Sequence, residues 1–268
     1  MNAGAQPTKR ERNPMGALTR ALAALAEMED TSVGLRELAR RLGTPPSSLQ
    51  RTLETACETS LVASGPSGRW ELGWEFYRLA ALAQRKQPFH AAADALEALR
   101  DRTGETALLT VYDPYRKARM FVAAAESRHS VRFVPDLFQW MPAHAGASAL
   151  AILAFRPEEE RKALCELGLT PLTETTAKSP EELEAHLAEV RRDGFAFSFD
   201  EVNLAAAGVA APIMLGQEVT SSVAVIAPQQ RFDNMPRAEL ADLVVETSRA
   251  LSGRLGDPGA ALRASGRM

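Results

Sequence analysis

One short stretch of the chain concentrates side chains that suit contact with phosphate groups and base edges. Between residues 31 and 52 the ionisable side chains are Arg36, Arg40, Arg41 and Arg51 against Glu37 alone, although the whole chain has a formal net charge of −3. Guanidinium groups neutralise phosphates and form paired hydrogen bonds to guanine. The stretch therefore predicts a local nucleic-acid contact on an acidic protein. An ordinary helical hairpin with a solvated arginine face is the alternative interpretation.

Two short amphipathic helices are predicted to position these side chains. Apolar residues recur at helical spacing in both segments; they are Leu35, Leu38 and Leu42 in the first, and Leu49, Leu53 and Ala56 in the second. Between the segments, Gly43 suits a helix end with positive φ, Thr44 suits a cap, and Pro45 and Pro46 suit a first helical turn. The pattern predicts a helix, a turn and a second helix.

The flanking sequence extends this pattern on both sides. Upstream, Leu18, Leu22 and Leu25 form the apolar stripe of a preceding helix. Downstream, an apolar run at residues 61–63, a turn-rich segment at 64–68 and a strand-like run at 69–72 predict a hairpin. Three helices followed by a hairpin are the order of a winged helix-turn-helix domain.

Length and composition favour a globular protein of two domains. The chain has 268 residues, of which 46% are hydrophobic and 24% charged. No apolar run reaches the roughly 18 residues that a membrane span needs, and no apolar segment follows the basic residues near the N-terminus, so we expect a cytoplasmic protein without a membrane partner. Residues 1–14, with Lys9, Arg10 and Arg12, are interpreted as a disordered arm. Cys57 and Cys165 are expected to be buried, reduced thiols.

Alternating strands and helices predict an α+β arrangement for the remainder of the chain. Predicted strands cover residues 104–113, 118–125, 131–137, 195–202, 208–215 and 220–228, and predicted helices cover 74–85, 90–102, 147–155, 157–167, 180–193 and 236–255. Ser179, Pro180 and Glu182 form a capping-box signature at the start of one helix. We expect an antiparallel sheet of about six strands with helices on its faces, followed by a flexible tail from residue 256.

In the order of its motifs the chain resembles the IclR family of bacterial transcriptional regulators. The motifs are LRELARRLGTPPSSLQRTL, GRWELGWEFYRLA, GETALLTVYD, MPAHAGASALAILAF, SPEELEAHLAEVRRDGFAF and AAPI. The resemblance implies a winged helix-turn-helix domain at residues 15–73, a linker helix at 74–87 and a GAF-like effector-binding domain at 88–255. It also implies homodimers or tetramers on operator DNA, with Leu18, Trp74 and Leu79 suited to a subunit contact. The family includes repressors and activators, and we favour a repressor.

The resemblance places the recognition helix at Pro46–Glu58. The residues then expected to face DNA are Ser47, Ser48, Gln50, Arg51 and Thr52 on that helix, Arg69 in the wing, and Arg36 on the preceding helix. Pro46 and Gln50 depart from the family's usual lysine and histidine, so operator preference does not transfer. Ser60 replaces a glycine at the helix end, where a left-handed conformation would cost about 1 kcal/mol.

The same resemblance implies a pocket for a small effector, often a carboxylate in this family. The residues expected around it are His144, Ala147, Ser148, Ser198, Asp200, Ala224 and Ile226. Ser198 replaces a family acid, and Ala224 and Ile226 stand in a strand that is often rich in serine. We therefore expect a more apolar pocket that takes an aromatic or hydrophobic acid, or no effector. Glu201 and Asn203 are expected at the pocket mouth or in a solvated loop.

Enzymatic chemistry is the remaining alternative. Residues 146–150, Gly-Ala-Ser-Ala-Leu, nearly imitate a serine nucleophile elbow with His144 close by, but the second glycine is absent and no strand leads into Ser148. The four histidines and two cysteines do not fall at metal-ligand spacing, and no glycine-rich phosphate loop occurs, so no metal or cofactor is expected. A sensor that acts through protein partners without DNA is a further alternative.

Overall fold

The structure, a computed structural model, describes residues 14–65, 67–86 and 92–255. The chain divides between residues 86 and 87 into two compact units. Apart from Pro14, the predicted N-terminal arm lies outside the described residues, as does the predicted tail from residue 256. In the described part of the chain, no helix has the length and apolar content to cross a bilayer.

In residues 14–65 and 67–86 the first unit has four helices and a small three-stranded sheet. The elements are α1 (Pro14–Ala26), β1 (Val33–Gly34), α2 (Leu35–Leu42), α3 (Pro46–Glu58), β2 (Val62–Ser64), β3 (Arg69–Leu72) and α4 (Trp74–Lys86). The sheet is antiparallel in the order β1-β3-β2, with Val33 opposite Trp70 and Val62 opposite Leu72. Leu38, Leu49 and Leu53 are fully buried together in the core that α1, α2, α3 and the sheet share. The predicted helices and hairpin are confirmed, whereas β1 was not predicted.

The turn between α2 and α3 depends on Gly43. This glycine has a φ of 59°, and its N–H donates to the carbonyls of Ala39 and Arg40 at the end of α2, as the sequence predicts. Pro45 caps α3 without a side-chain hydrogen bond, and Pro46 occupies the first turn. The prediction that Thr44 is a cap is wrong, because its hydroxyl donates back to Leu42 O at 3.3 Å.

A second tight turn connects α3 to the hairpin through Ser60. Ser60 has a φ of 58°, the left-handed conformation that favours glycine. Its carbonyl lies against Gly73, where an added Cβ would approach the Ser60 oxygen to 2.0 Å. Gly73 N–H also donates to Leu61 O at 2.9 Å. The expected left-handed position is confirmed, and the close approach of the Ser60 carbonyl requires a glycine at position 73.

The second unit is a six-stranded antiparallel sheet between two layers of helices. Its elements are α5 (Ala93–Thr103), β4 (Thr106–Asp113), β5 (Ala118–Ala125), β6 (Trp140–Pro142), α6 (Ala147–Leu153), α7 (Glu158–Cys165), α8 (Pro180–Asp193), β7 (Ala196–Phe199), β8 (Ala206–Leu215), β9 (Glu218–Pro228), α9 (Gln229–Phe232) and α10 (Arg237–Leu255). The strand order is β6-β5-β4-β9-β8-β7, and every neighbouring pair is antiparallel. The α+β class is thereby confirmed.

Both faces of this sheet are buried, which explains its long apolar runs. Leu108 and Ala224 face the core with α6 and α8, whereas Leu109 and Val223 face the core with α5 and α10. Successive residues of a strand point to opposite faces, so a sheet covered on both sides needs apolar residues at nearly every position.

The predicted strand at residues 131–137 is wrong. The segment is irregular apart from one isolated bridge between Leu137 and Phe121. Pro135 cannot donate to a ladder, and Phe133 and Val134 line a cavity instead of pairing with β5. The sheet still has six strands, because β6 pairs with β5 on the side away from β4.

The start of α8 and the burial of the two cysteines also differ from the predictions. Ser179 Oγ accepts from Glu182 N–H at 3.2 Å, but the Glu182 carboxylate accepts from Lys178 N–H at 2.7 Å and not from Ser179, so only half of the capping box forms. Cys57 was expected to be buried but is exposed on α3, and Cys165 is half-buried; both are free thiols.

Candidate functional site

The exposed face of α3 carries most of the residues predicted to contact DNA. Ser47, Ser48, Gln50 and Arg51 are exposed and Thr52 is half-buried, while Leu49, Leu53 and Ala56 turn into the core. Gln50 Nε2 donates to Glu54 Oε1 at 2.8 Å, and the Thr52 hydroxyl donates to Ser48 O at 3.2 Å. α3 thus has polar side chains on its exposed face and apolar side chains on the face that packs into the core.

The arginines on α2 and α3 differ in whether an ion pair holds their side chains. Within the described part of the chain, no ion pair holds Arg36, Arg40 or Arg51, which are exposed. Arg41 lies 3.6 Å from the Glu27 carboxylate. The unpaired arginines can therefore reach a phosphate or base without first breaking a salt bridge.

Arg69 has a structural role that the sequence did not predict. Its Nε donates to Ser32 Oγ at 3.0 Å, Nη2 donates to Ser32 O, and Nη2 lies 3.8 Å from Asp30. These bonds connect β3 to the segment before β1. Arg69 is therefore less free to bind phosphate than the arginines of α2 and α3.

The second unit contains a cavity of about 570 Å³ next to the start of α6. Its wall is formed by β5, the start of α6, β7, the irregular segment before β6 and the turn that precedes β8. Of the predicted effector residues, Ala147, Ser148, Ser198 and Ile226 line it. Glu201 and Asn203 line it as well, so they belong to the cavity and not merely to a solvated loop.

Three predicted effector residues do not line the cavity. His144 Nε2 lies 3.0 Å from Thr170 O, and burial lowers the pKa of its imidazole, which favours the neutral ring. Asp200 has a φ of 58°, and its carboxylate accepts from Ala205 N–H, so it shapes the turn before β8. Ala224 is fully buried between the sheet and α6.

The two backbone amides at the start of α6 already have acceptors within the protein. Gly146 N–H donates to Glu201 Oε2 at 2.9 Å, and Ala147 N–H donates to Ser198 Oγ at 2.9 Å. Gly146 has a φ of 85°, and an added Cβ would lie 2.9 Å from Val202 Cγ2. The expected anion-binding amide of Ala147 is therefore satisfied by the very serine that replaces the family's acid.

Arg119 is a candidate site residue that the sequence analysis missed. It lies on β5, is 2% exposed and lines the cavity. Its Cζ lies 5.0 Å from the centre of the Phe121 ring, and burial lowers the pKa of the guanidinium to about 10, so it is charged at neutral pH. The available signal was the alternation of β5, because Arg119 and Phe121 must share a face.

Glu201 supplies the opposing charge. Burial raises the pKa of its carboxyl group, while the Gly146 N–H, His186 and Arg119 act in the opposite direction. Among the described residues no ion pair joins Glu201 to Arg119 directly. The cavity therefore holds a cation and a carboxylate that influence each other without being bonded.

Catalytic and metal chemistry find little support in this arrangement. The His144 ring nitrogen faces Thr170 O, and no hydrogen bond connects His144 to Ser148 among the described residues. The Ser148 carbonyl accepts from Ser222 Oγ at 2.8 Å, which ties α6 to β9. In residues 14–65, 67–86 and 92–255 no cluster of histidine, cysteine and acidic side chains could hold a metal ion.

The chain is similar to bacterial transcriptional regulators. Residues 80–253 match the family described as "Bacterial transcriptional regulator IclR C-terminal". The HTH-type transcriptional regulator BhcR of Paracoccus denitrificans is 30% identical over 88% of this chain and 86% of its own length. The transcriptional repressor IclR of Escherichia coli is 27% identical over 92% of this chain and 96% of its own. The class is that of bacterial transcriptional regulators, not of enzymes. The chain belongs to the IclR family.

Solved structures agree in fold. An IclR transcriptional regulator from Silicibacter sp. TM1040 superposes with a TM-score of 0.76 at 26% identity, covering 90% of this chain and 96% of that one. An IclR homologue from Microbacterium hydrocarbonoxydans, solved in complex with 4-hydroxybenzoate, also has a TM-score of 0.76, at 20% identity, covering 91% of this chain and 99% of that one.

Proposed function

We propose that the protein is a sequence-specific DNA-binding regulator whose affinity for its operator is controlled by a small organic effector. The first unit acts as a winged helix-turn-helix domain, and the second as a GAF-like sensor. The observation that carries the proposal is the polar face of α3, which is fully available on a helix fixed to the core by Leu49 and Leu53.

DNA reading is assigned to the N-terminal half of α3. Ser47 and Ser48 lie near the positive end of the helix, where they suit phosphate oxygens. Arg51 suits guanine or phosphate, and Gln50 suits adenine once its bond to Glu54 opens. Arg36 is a further candidate for a phosphate contact, whereas Arg69 contributes by fixing the hairpin.

A homodimer, or a tetramer built from dimers, would present two copies of α3 to successive major grooves. The helix α4 supports this proposal, since Trp74 is 83% exposed and Leu79 is 46% exposed. Leu18 is half-buried against the core of the first unit and offers less surface. Large apolar side chains on one exposed helix are typical of subunit contacts.

The cavity of the second unit is assigned to the effector. Its volume of about 570 Å³ falls in the range of small-molecule sites. A fold neighbour was solved with 4-hydroxybenzoate, and a relative is named a repressor. We therefore propose a cytoplasmic repressor, in preference to an activator, that responds to a small organic molecule.

A gel-shift titration with the chain's own upstream DNA tests the proposal. Binding should weaken steeply with salt, because each neutralised phosphate adds about 0.9 to the logarithmic slope. Arg51→Met should weaken binding about tenfold. Arg192→Met is the matched control, because Arg192 is an exposed arginine of the second unit, paired with Asp193, and it should leave the titration unchanged. Absence of a shift at low salt would refute DNA binding.

A further inference from the structure

Arg119 is a buried cation with unused hydrogen-bonding capacity. Its Nε and Nη1 have no hydrogen-bond partner within the described residues, although the side chain is only 2% exposed. Removing a guanidinium from water is costly unless its N–H groups are satisfied. Arginine is also the side chain that cannot escape this cost by losing its proton at neutral pH. Such a residue needs a partner that the folded chain does not supply.

Arg119 is one of the residues that line the cavity. Its cross-strand neighbours are Tyr112 on β4 and Met141 on β6. Phe121 lies under the guanidinium plane at 5.0 Å, and Nη2 lies beside Gly146. One face of the guanidinium is therefore covered by an aromatic ring, which leaves its edge for a planar acceptor such as a carboxylate.

The other hydrogen-bond donors near Arg119 either have an acceptor within the protein already or are exposed to solvent. Glu201 accepts from Gly146 N–H, and Ser198 accepts from Ala147 N–H. Arg132 also lines the cavity, but its Nε donates to Glu126 Oε2 at 3.0 Å and it is exposed to solvent. Among the charged side chains that the described wall contains, Arg119 thus differs in being buried and in having no ion pair.

We propose that Arg119 selects the effector by binding the acid group of a monocarboxylic acid with an apolar body, and that Glu201 discriminates against a second acid group. The proposal rests on the effector-binding role assigned to this cavity. Phe121, Phe133, Met141 and Ile226 supply apolar wall for the body of such a molecule. The Glu201 carboxylate already places one negative charge in the cavity, so a dianion would face repulsion that a monoanion with Arg119 as its partner largely avoids.

Three aromatic probes separate the roles of charge and shape. Benzoate, its neutral amide benzamide and the diacid terephthalate are titrated by calorimetry against the full chain. Wild-type protein should bind benzoate at least about tenfold tighter than benzamide, as a charge-assisted pair of hydrogen bonds would give. Terephthalate should bind more weakly than benzoate. Equal affinity for benzoate and benzamide, or no binding of either, would overturn the proposal.

Substitutions of arginine test whether Arg119 causes the preference for benzoate over benzamide. Arg119→Met should bring benzoate down to the affinity of benzamide while leaving benzamide binding in place, which also shows that the variant is folded. Arg192→Met is the matched control, because Arg192 does not line the cavity and pairs with Asp193, and it should keep the preference for benzoate. Arg119→Lys should fall between, because it keeps the charge without the planar edge. A benzoate preference that survives Arg119→Met would contradict the assignment.

Operator binding distinguishes this inference from the proposed function. If wild type and Arg119→Met both shift operator DNA in the absence of ligand, while only wild type prefers benzoate, the inference and the regulator role both stand. If neither protein binds DNA but wild type still prefers benzoate, the DNA-binding function fails while the role of Arg119 is retained. If both bind DNA and neither distinguishes benzoate from benzamide, the role of Arg119 fails alone.

Discussion

Gly146 and Glu201 are joined by a 2.9 Å hydrogen bond in which the glycine N–H donates to the carboxylate. The two residues are far apart in sequence, one before α6 and the other after β7, so this bond closes one side of the cavity. It also keeps a negative charge close to Arg119, whose guanidinium lies beside Gly146. The charge state of Glu201 therefore bears directly on what the cavity accepts.

Effector binding is expected to depend on pH through Glu201. Burial raises the pKa of this carboxyl group, opposed by Gly146 N–H, His186 and Arg119, and a bound anion nearby would raise it further. Binding then takes up a proton, so benzoate affinity should rise as the pH falls from neutral towards the raised pKa of Glu201. Calorimetric titration in that range measures the dependence.

Two variants assign this dependence to one group. Glu201→Gln should remove most of the pH dependence, because the amide can still accept from Gly146 N–H but cannot titrate. His186→Gln should keep it, although His186 also acts on the carboxyl group. An unchanged pH profile in Glu201→Gln would assign the proton to another residue.

Gly146→Ala is expected to destabilise the second unit by about 2 kcal/mol or more. Alanine would have to adopt a φ of 85° and would place its Cβ 2.9 Å from Val202 Cγ2. Gly216→Ala is the matched control, since Gly216 has a φ of 67° with nothing within 4 Å of an added Cβ; its cost should be about 1 kcal/mol. Urea unfolding followed by circular dichroism compares them, and equal costs would show that the Val202 contact relaxes.

Ser60→Gly is expected to stabilise the first unit by about 0.5 to 1 kcal/mol. Serine at a φ of 58° carries steric strain that glycine does not, although glycine gains more freedom in the unfolded chain. Gly73→Ala should have the opposite effect, because its Cβ would clash with the Ser60 carbonyl. Thermal unfolding of the full chain provides the measurement, and a lower midpoint for Ser60→Gly would mean that the serine makes a favourable contact.

Trp74→Glu is expected to shift the protein from dimer towards monomer. A charge at this exposed position of α4 would oppose burial of the apolar surface that Trp74 forms with Tyr77, which is 55% exposed. Tyr115→Glu is a control on the second unit, where Tyr115 is 95% exposed. Light scattering after size-exclusion chromatography reads the mass, and a wild-type protein that is already monomeric would refute the dimer.

Local signals predicted much of the fold. Gly43 and Pro46 mark the turn and the start of α3, and the bounds of α3 and α8 agree with the structure because each helix begins at a proline and carries a clear apolar stripe. The family resemblance supplied the region of the cavity, and four of its predicted residues line it. These features depend on neighbouring residues and on motifs, which a sequence displays directly.

Features that depend on distant partners were missed. The run around Phe133 has the composition of a strand, yet its apolar side chains line a cavity and Pro135 interrupts pairing. Arg119 resembles a solvent-facing residue until β6 is known to cover that edge of β5. The loop acid Glu201 becomes part of the site because it folds back onto Gly146. Only the tertiary arrangement reveals such roles.

The exposed thiol of Cys57 offers a place for a spectroscopic label beside the proposed DNA-binding residues of α3. The chain has two cysteines; burial raises the pKa of the Cys165 thiol, whereas Cys57 is exposed on α3. A thiol-reactive fluorophore should therefore attach to Cys57 first. Because Cys57 lies about two helical turns beyond Gln50 on the same face of α3, the dye would report on DNA that binds nearer the start of the helix.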